Sequence, residues 1–328
     1  MAEGWKLNEG SVTYEVVSED QLWTVIVKTL SSKSMKTTTY KFALLRAILE
    51  NLYKTSFNFE ITFTQLAQSF AKLYWNLVVR NGYSQGHNAQ IEKELRESQL
   101  IFNIPEGLSF DSINERQQKE IIKKIENKII YRYVVGALFE DTNRIIYSFS
   151  KKEKKITLTQ SSLEFLLKHQ TTIFKLVNYE LAKFLHYKNP YVSRGIVLEE
   201  IENITKRESL QLYQHMILKN AGNKCFYTGK ELTITTRSIA VDHFVPWSFV
   251  HTDELWNFVL TSQSLNSKKG SKLPAERYLE KLHKRNQIFL QIGDVHVKYE
   301  MEKYNFLLFK KLYEYAEING FEKGWTPF

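Results

Sequence analysis

The sequence contains one cysteine, 5 prolines and 13 glycines in 328 residues. The lone thiol, Cys225, excludes an intramolecular disulfide and any zinc site built on several cysteines, and it places the protein in a reducing compartment. Little glycine and proline, beside 43% hydrophobic and 14% aromatic content, argue against a loop-rich all-β or low-complexity chain and for a helix-rich globular one. Long apolar runs are also missing. The most apolar stretch, residues 129–139, is too short to span a bilayer and carries Arg132. The opening MAEGWKLNEG has no apolar core of the kind export signals use. The expectation is a cytoplasmic protein without membrane attachment.

What is present is positive charge. Lys and Arg number 45 against 36 Asp and Glu, a net charge of +9, which points to a polyanionic partner. The excess is uneven: residues 219–285 carry about 11 basic and 6 acidic side chains, against about 29 and 24 in residues 1–218. The density of surplus charge is therefore roughly threefold higher in the shorter segment.

The length suits about two domains, and the patterning predicts a mainly helical α+β protein. A strand is expected over 12–17 and a helix over 40–52. A second helix over 63–79 places Leu66, Phe70, Leu73, Tyr74 and Leu77 on one face, with Thr62 or Thr64 as its cap. Ser112 and Glu115 fit a capping box opening a helix to 138. Two β-rich runs, 144–150 and 155–159, flank the charged turn Lys151, Lys152, Glu153, Lys154 and read as a hairpin. Ser161 and Glu164 fit a further capping box for a helix to 185. This arrangement is compatible with a winged-helix-like DNA-binding unit and equally with an ordinary α+β domain. Asn189, Pro190 and Gly195 mark the expected boundary. Helices follow at 197–219, 275–292 and 300–318. The resulting division is a recognition or regulatory domain at 1–190, a second domain at 196–292 and a helical extension at 293–328.

Chemistry concentrates after Cys225, in CFYTGKEL, then AVDHFVPWSF and VLTSQSLNSKKGSKLP. Residues 239–242 are β-prone, and Asp242 and His243 fall where that strand ends, ahead of Pro246. Neighbours on a strand point to opposite faces, so the two converge on one phosphate only if the backbone bends there. Asn257 and Asn266 follow at intervals of 14 and 9 residues from the preceding site residue.

This set resembles the HNH endonucleases, whose ββα-metal fold holds one divalent cation. The spacing is most similar to the HNH domain of RNA-guided CRISPR effector nucleases, over residues 210–274. No arginine-rich bridge helix or second nuclease motif accompanies it, so the likeness is to the domain alone. The resemblance implies a C-terminal ββα-metal fold flanked by helices. In it Asp242 and Asn266 ligate Mg²⁺ or Mn²⁺, His243 is the general base and Asn257 is structural support. Lys268, Lys269 and Lys272 stand where they can contact DNA phosphates. Many relatives bind a structural zinc through two CxxC pairs; here Thr228 stands where the second cysteine of a pair falls, so no structural zinc is expected. His251 is the one further histidine near the site, and Trp247, Trp256 and Phe258 read as core.

The implied activity is metal-dependent DNA cleavage, in restriction or anti-phage defence, with DNA, a second copy of the chain and an activating protein as partners. The alternatives are a homing or repair nuclease, and a non-cleaving DNA-binding or scaffold protein that keeps the HNH fold as a grip.

Overall fold

The computed structural model describes residues 3–14, 16–31, 37–56, 58–204, 210–233, 239–302 and 304–328. The fold is α+β and mainly helical, 61% of the chain lying in helices. Among the described residues no helix is long and apolar enough to cross a membrane. The chain divides into two compact units, one of residues 1–167 and 172–206, the other of 168–171 and 207–328.

The first unit is built on a four-stranded sheet in the order β1-β3-β4-β2, from β1 (Glu9–Gly10), β2 (Glu60–Thr62), β3 (Tyr147–Ser150) and β4 (Lys155–Leu158). The hairpin expected from the sequence is β3–β4, antiparallel with Tyr147 opposite Leu158. Two of the three lysines in its turn, and Lys155 at the start of β4, are committed inward or to carboxylates, while Lys152 is exposed. Lys151 is buried and donates to the Trp5 carbonyl at 3.0 Å, Lys154 pairs with Glu126 at 2.6 Å, and Lys155 with Glu60 at 2.7 Å. Burial pulls the Lys151 ammonium below its ordinary value.

The helix Phe63–Tyr74 starts where the sequence places it, because Thr62 and Gln65 form a reciprocal capping box. Two other helix entries differ. Asn114, accepting from the Arg116 amide, caps the helix Glu115–Ile125 in place of Ser112, whose hydroxyl bonds Ser109. Thr159 takes the Ser162 amide where Ser161 was expected to cap. Two helices of this unit, Phe63–Tyr74 and Glu115–Ile125, pass into wider π-helical segments, Trp75–Arg80 and Glu126–Val134. The strand expected at 12–17 does not form among the described residues; Glu9–Gly10 pairs with β3 in its stead, and residue 15 lies outside the description.

Gly4 and Gly136 face each other closely. A Cβ on Gly136 would stand 2.0 Å from the Gly4 carbonyl oxygen. Gly136→Ala is therefore expected to destabilise this unit by about 1–3 kcal/mol, the usual cost of overpacking, read as a lowered thermal midpoint.

The helix Arg194–Ile204, expected to open the second domain, packs in the first unit. Buried Arg46 requires acceptors, which it finds in Glu50 at 2.9 Å, Asn178 at 2.8 Å and the Ile201 carbonyl at 3.5 Å. Tyr83 adds a hydrogen bond to Glu200. The helix read from sequence as 197–219 is thus Arg194–Ile204 and Gln211–Ala221, with residues 205–209 outside the description.

The second unit centres on the antiparallel pair β5 (Ile239–His243) and β6 (Phe258–Ser262), crossed by the helix Gln263–Lys269. The described residues of 293–328 fall in this unit and contribute Val297, Met301, Phe309, Leu312 and Tyr313 to its core. β8 (Lys323–Trp325) pairs in parallel with β7 (Leu273–Pro274), and Phe309 and Tyr313 pack against Phe244. Residues 168–171 join the unit through Gln170, which donates to the Val250 carbonyl at 3.3 Å, and through Asn319, which donates to the Lys168 carbonyl.

Candidate active site

The turn after Cys225 forms a small knuckle on β6. The Cys225 amide donates to Lys230 O at 2.8 Å, the Gly229 amide returns to Cys225 O at 2.8 Å, and the Phe226 amide reaches Leu260 O at 2.8 Å. Gly229, at φ +72, supplies the left-handed residue that this reversal needs. Burial pushes the Cys225 thiol up, but hydrogen bonds from Thr228 and Thr261 outweigh it and bring it below the ordinary thiol value. Phe226 and Tyr227 pack on Tyr278 of the helix Arg277–Leu290, and Tyr227 also meets Trp325 at 4.9 Å. Aromatic packing and backbone bonds hold the knuckle in the place it must take beside the strand pair.

β5 and β6 pair in regular register from Ile239 opposite Ser262 to His243 opposite Phe258. The bend expected at Asp242–His243, on which their convergence on one phosphate depends, is not found there; the strand runs through His243 and the chain bends at Phe244 and Val245. The two site residues thus remain on regular strand and reach different partners.

Asp242 is buried at 4% exposure with both carboxylate oxygens engaged. Tyr227 donates its hydroxyl to Oδ2 at 2.6 Å, and Lys269 Nζ lies 3.0 Å from Oδ1. Lys269 also donates to the His243 carbonyl at 2.7 Å. Burial and the Asp242 charge hold the Tyr227 phenol well above its ordinary pKa, so it stays a donor. Lys269 departs from the expected phosphate contact because it ends the helix pointing inward, with a side chain at 0% exposure. Only an ion pair stabilises an ammonium at that depth. Lys268, by contrast, is exposed, and Lys272 pairs with Glu322 at 3.0 Å.

Asn266 lies one turn before Lys269, on the same helix face, half-buried, its carbonyl accepting the Gly270 amide at 2.9 Å. That spacing brings its amide to the side of the helix from which Lys269 reaches Asp242. A carboxylate and an amide are hard oxygen donors of the kind Mg²⁺ or Mn²⁺ takes, but here Tyr227 and Lys269 already engage both Asp242 oxygens. Among the described residues no group of three or more His, Cys, Asp or Glu side chains is placed to hold a metal ion.

Asn257 is fully buried and clamps the bend. Its Oδ1 accepts the Val245 amide and its Nδ2 donates to the Val245 carbonyl, both at 2.9 Å, while its own carbonyl accepts the Phe244 amide at 2.8 Å. Asn257→Ala leaves both Val245 groups buried without these partners, at about 1–3 kcal/mol each. The expected result is a clearly lower urea midpoint.

His243, 3% exposed, directs Nε2 to Asp253 Oδ1 at 2.8 Å and rests edge-on to the Phe258 ring at 4.6 Å. Nothing in the sequence pattern marked Asp253, Tyr227 or the inward role of Lys269, since each depends on how turns and a helix end fold back on β5. His251 ends the short helix Trp247–Val250 at φ 53 and stacks edge-on with Trp247. Trp256 and Phe258 are buried.

The two strands and the crossing helix bring this polar cluster together within one stretch of sequence. Residues 225–275 match the family model described as HNH endonuclease. That match supports an HNH domain in this segment, which holds Asp242, His243, Asn257, Asn266 and Lys269. No curated protein and no solved structure matches the chain.

Proposed function

We propose that the protein is a metal-dependent DNA endonuclease hydrolysing phosphodiester bonds at this site. The observation that carries the reading is the Asn257 clamp on Val245, which fixes the chain immediately behind Asp242 and His243. The imidazole of His243 takes a proton from the attacking water. Asp242 and Asn266 would hold a cation, with Lys269 and Tyr227 orienting the carboxylate. Mg²⁺ or Mn²⁺ bound there would supply charge stabilisation for the phosphate and the leaving 3′ oxygen. The products are 5′-phosphate and 3′-hydroxyl ends. DNA is the substrate class that the surplus positive charge of 219–285 fits. Exposed Lys268 is the member of the lysine cluster best placed to contact phosphate, and Lys272 becomes available when its pair with Glu322 opens.

The setting we propose is cytoplasmic, in restriction or anti-phage defence, with an activating protein. One catalytic centre cuts one strand, so double-strand cutting requires two copies. The rival is a non-cleaving DNA grip, favoured by one observation: both Asp242 oxygens are already engaged by protein groups. Titrating Mg²⁺ and Mn²⁺ into the protein with supercoiled plasmid separates the two. Conversion to nicked or linear DNA that EDTA abolishes supports the nuclease. Retained DNA binding with intact plasmid at every ion concentration, native partner included, supports the grip.

A further inference from the structure

Imidazole has two nitrogens, and a neutral ring carries its proton on only one of them. Which one is protonated decides which one can act as base, and the structure constrains that choice. His243 Nε2 sits 2.8 Å from Asp253 Oδ1. An ionised carboxylate only accepts hydrogen bonds, so Nε2 carries the hydrogen and Nδ1 keeps the lone pair. We infer that Asp253 is the positioning residue of the His243 base, fixing its tautomer and ring orientation; the inference rests on His243 acting as base in the proposed nuclease.

The surroundings hold Asp253 for this task. Its carbonyl accepts the Tyr213 hydroxyl at 3.3 Å, and the Tyr213 ring packs on Phe258 at 4.8 Å, the same ring that supports the His243 imidazole. Two residues earlier, His251 takes φ 53 to end the helix Trp247–Val250 and reverse the chain towards the strand. Just after it, the Asn257 amide donates to the Glu254 carbonyl at 2.9 Å, closing the turn into the Asn257 clamp. Both ends of the segment bearing Asp253 are thereby tied to site elements.

In the step this serves, water gives a proton to Nδ1 and its oxygen electron pair forms the new bond to phosphorus. The P–O3′ bond breaks, and the 3′ oxygen leaves with that pair and is protonated by solvent. The Asp253 carboxylate is then opposite an imidazolium, which it stabilises at the moment the charge forms.

The test uses the full chain. Long-range ¹H–¹⁵N spectra, with the His243 ring assigned by comparison with His243→Ala, are expected to show the Nε2–H tautomer in the wild type. In Asp253→Asn a mixture of tautomers is expected. Asp253→Asn is expected to lower kcat by roughly 10- to 100-fold with KM for plasmid and Mn²⁺ affinity unchanged, and Asp253→Glu to recover part of the loss. In a His243→Ala background, Asp253→Asn is expected to cost nothing more. Wild-type rates in Asp253→Asn overturn the proposal. So does a faster rate, which marks a latch, or a loss that multiplies in the His243→Ala background, which marks a structural role. Should His243→Ala cleave like the wild type, the nuclease reading of His243 fails and takes the proposal with it. That failure is distinguishable, because the tautomer signal still reports whether Asp253 holds the ring.

Discussion

Replacing His243 with alanine is expected to lower plasmid cleavage by about 10²–10⁴-fold, the range a positioned general base contributes, and to leave DNA binding in place. The separation follows from the site. Asp242, Lys269 and Tyr227 form one linked set, and the imidazole belongs to another, with Asp253 and Phe258. Truncating the ring removes the proton acceptor without touching the carboxylate or the exposed Lys268. Some packing is lost, since the ring is buried against Phe258, so the thermal midpoint is measured beside the rate. A rate loss far larger than any change in folded fraction is the expected pattern, with electrophoretic shifts of a duplex unchanged. Cleavage at the wild-type rate removes His243 from the chemistry.

Lys269→Met carries the largest expected stability effect. Lys269 and Asp242 are an ion pair with side-chain exposures of 0% and 5%. Removing one partner of such a pair strands the other charge in a medium that cannot solvate it, which costs about 3–5 kcal/mol. The Tyr227 hydrogen bond softens the loss but supplies no charge. Urea denaturation is expected to show a much lower midpoint for Lys269→Met. Asp242→Asn added to it is expected to restore part of the stability, because the stranded charge is gone; the two effects are therefore non-additive. Mn²⁺ is expected to raise the midpoint of Lys269→Met more than that of the wild type, since an ion binding the folded state takes over the role of the ammonium. Equal stability of variant and wild type contradicts the buried pair.

The elements that carry the candidate site residues were legible in the sequence to the extent that spacing along the chain records them. Asp242, His243, Asn257 and Asn266 sit on one strand end, one turn and one helix, where intervals map directly onto elements. The β3–β4 hairpin was legible for the same local reason, alternating β-prone residues around a charged turn. Lys269 was not, because its residue type matches an exposed phosphate-binding lysine and only its position on the last turn of the helix sends it inward. Asp253 was hidden by a fold-back through the helix Trp247–Val250. Helix entries at Ser112 and Ser161 were misplaced because several hydroxyl and amide side chains compete as caps within a few residues; Asn114 and Thr159 reach the relevant amides. The widened segments in two long helices leave no mark in a 3.6-residue pattern, since their apolar faces remain continuous. The helix Arg194–Ile204 went to the first unit through contacts no local pattern holds, the burial of Val197 and Ile201 and the Arg46 bond to the Ile201 carbonyl.

Sequencing the termini of plasmid incubated with the wild-type protein and Mg²⁺ or Mn²⁺ tests the central claim most directly. Hydrolysis at the Asp242–His243 site gives breaks with 5′-phosphate and 3′-hydroxyl ends, absent with EDTA and absent in His243→Ala. Breaks with 3′-phosphate ends, breaks that persist in His243→Ala, or bound but uncut plasmid with every divalent ion and partner contradict it.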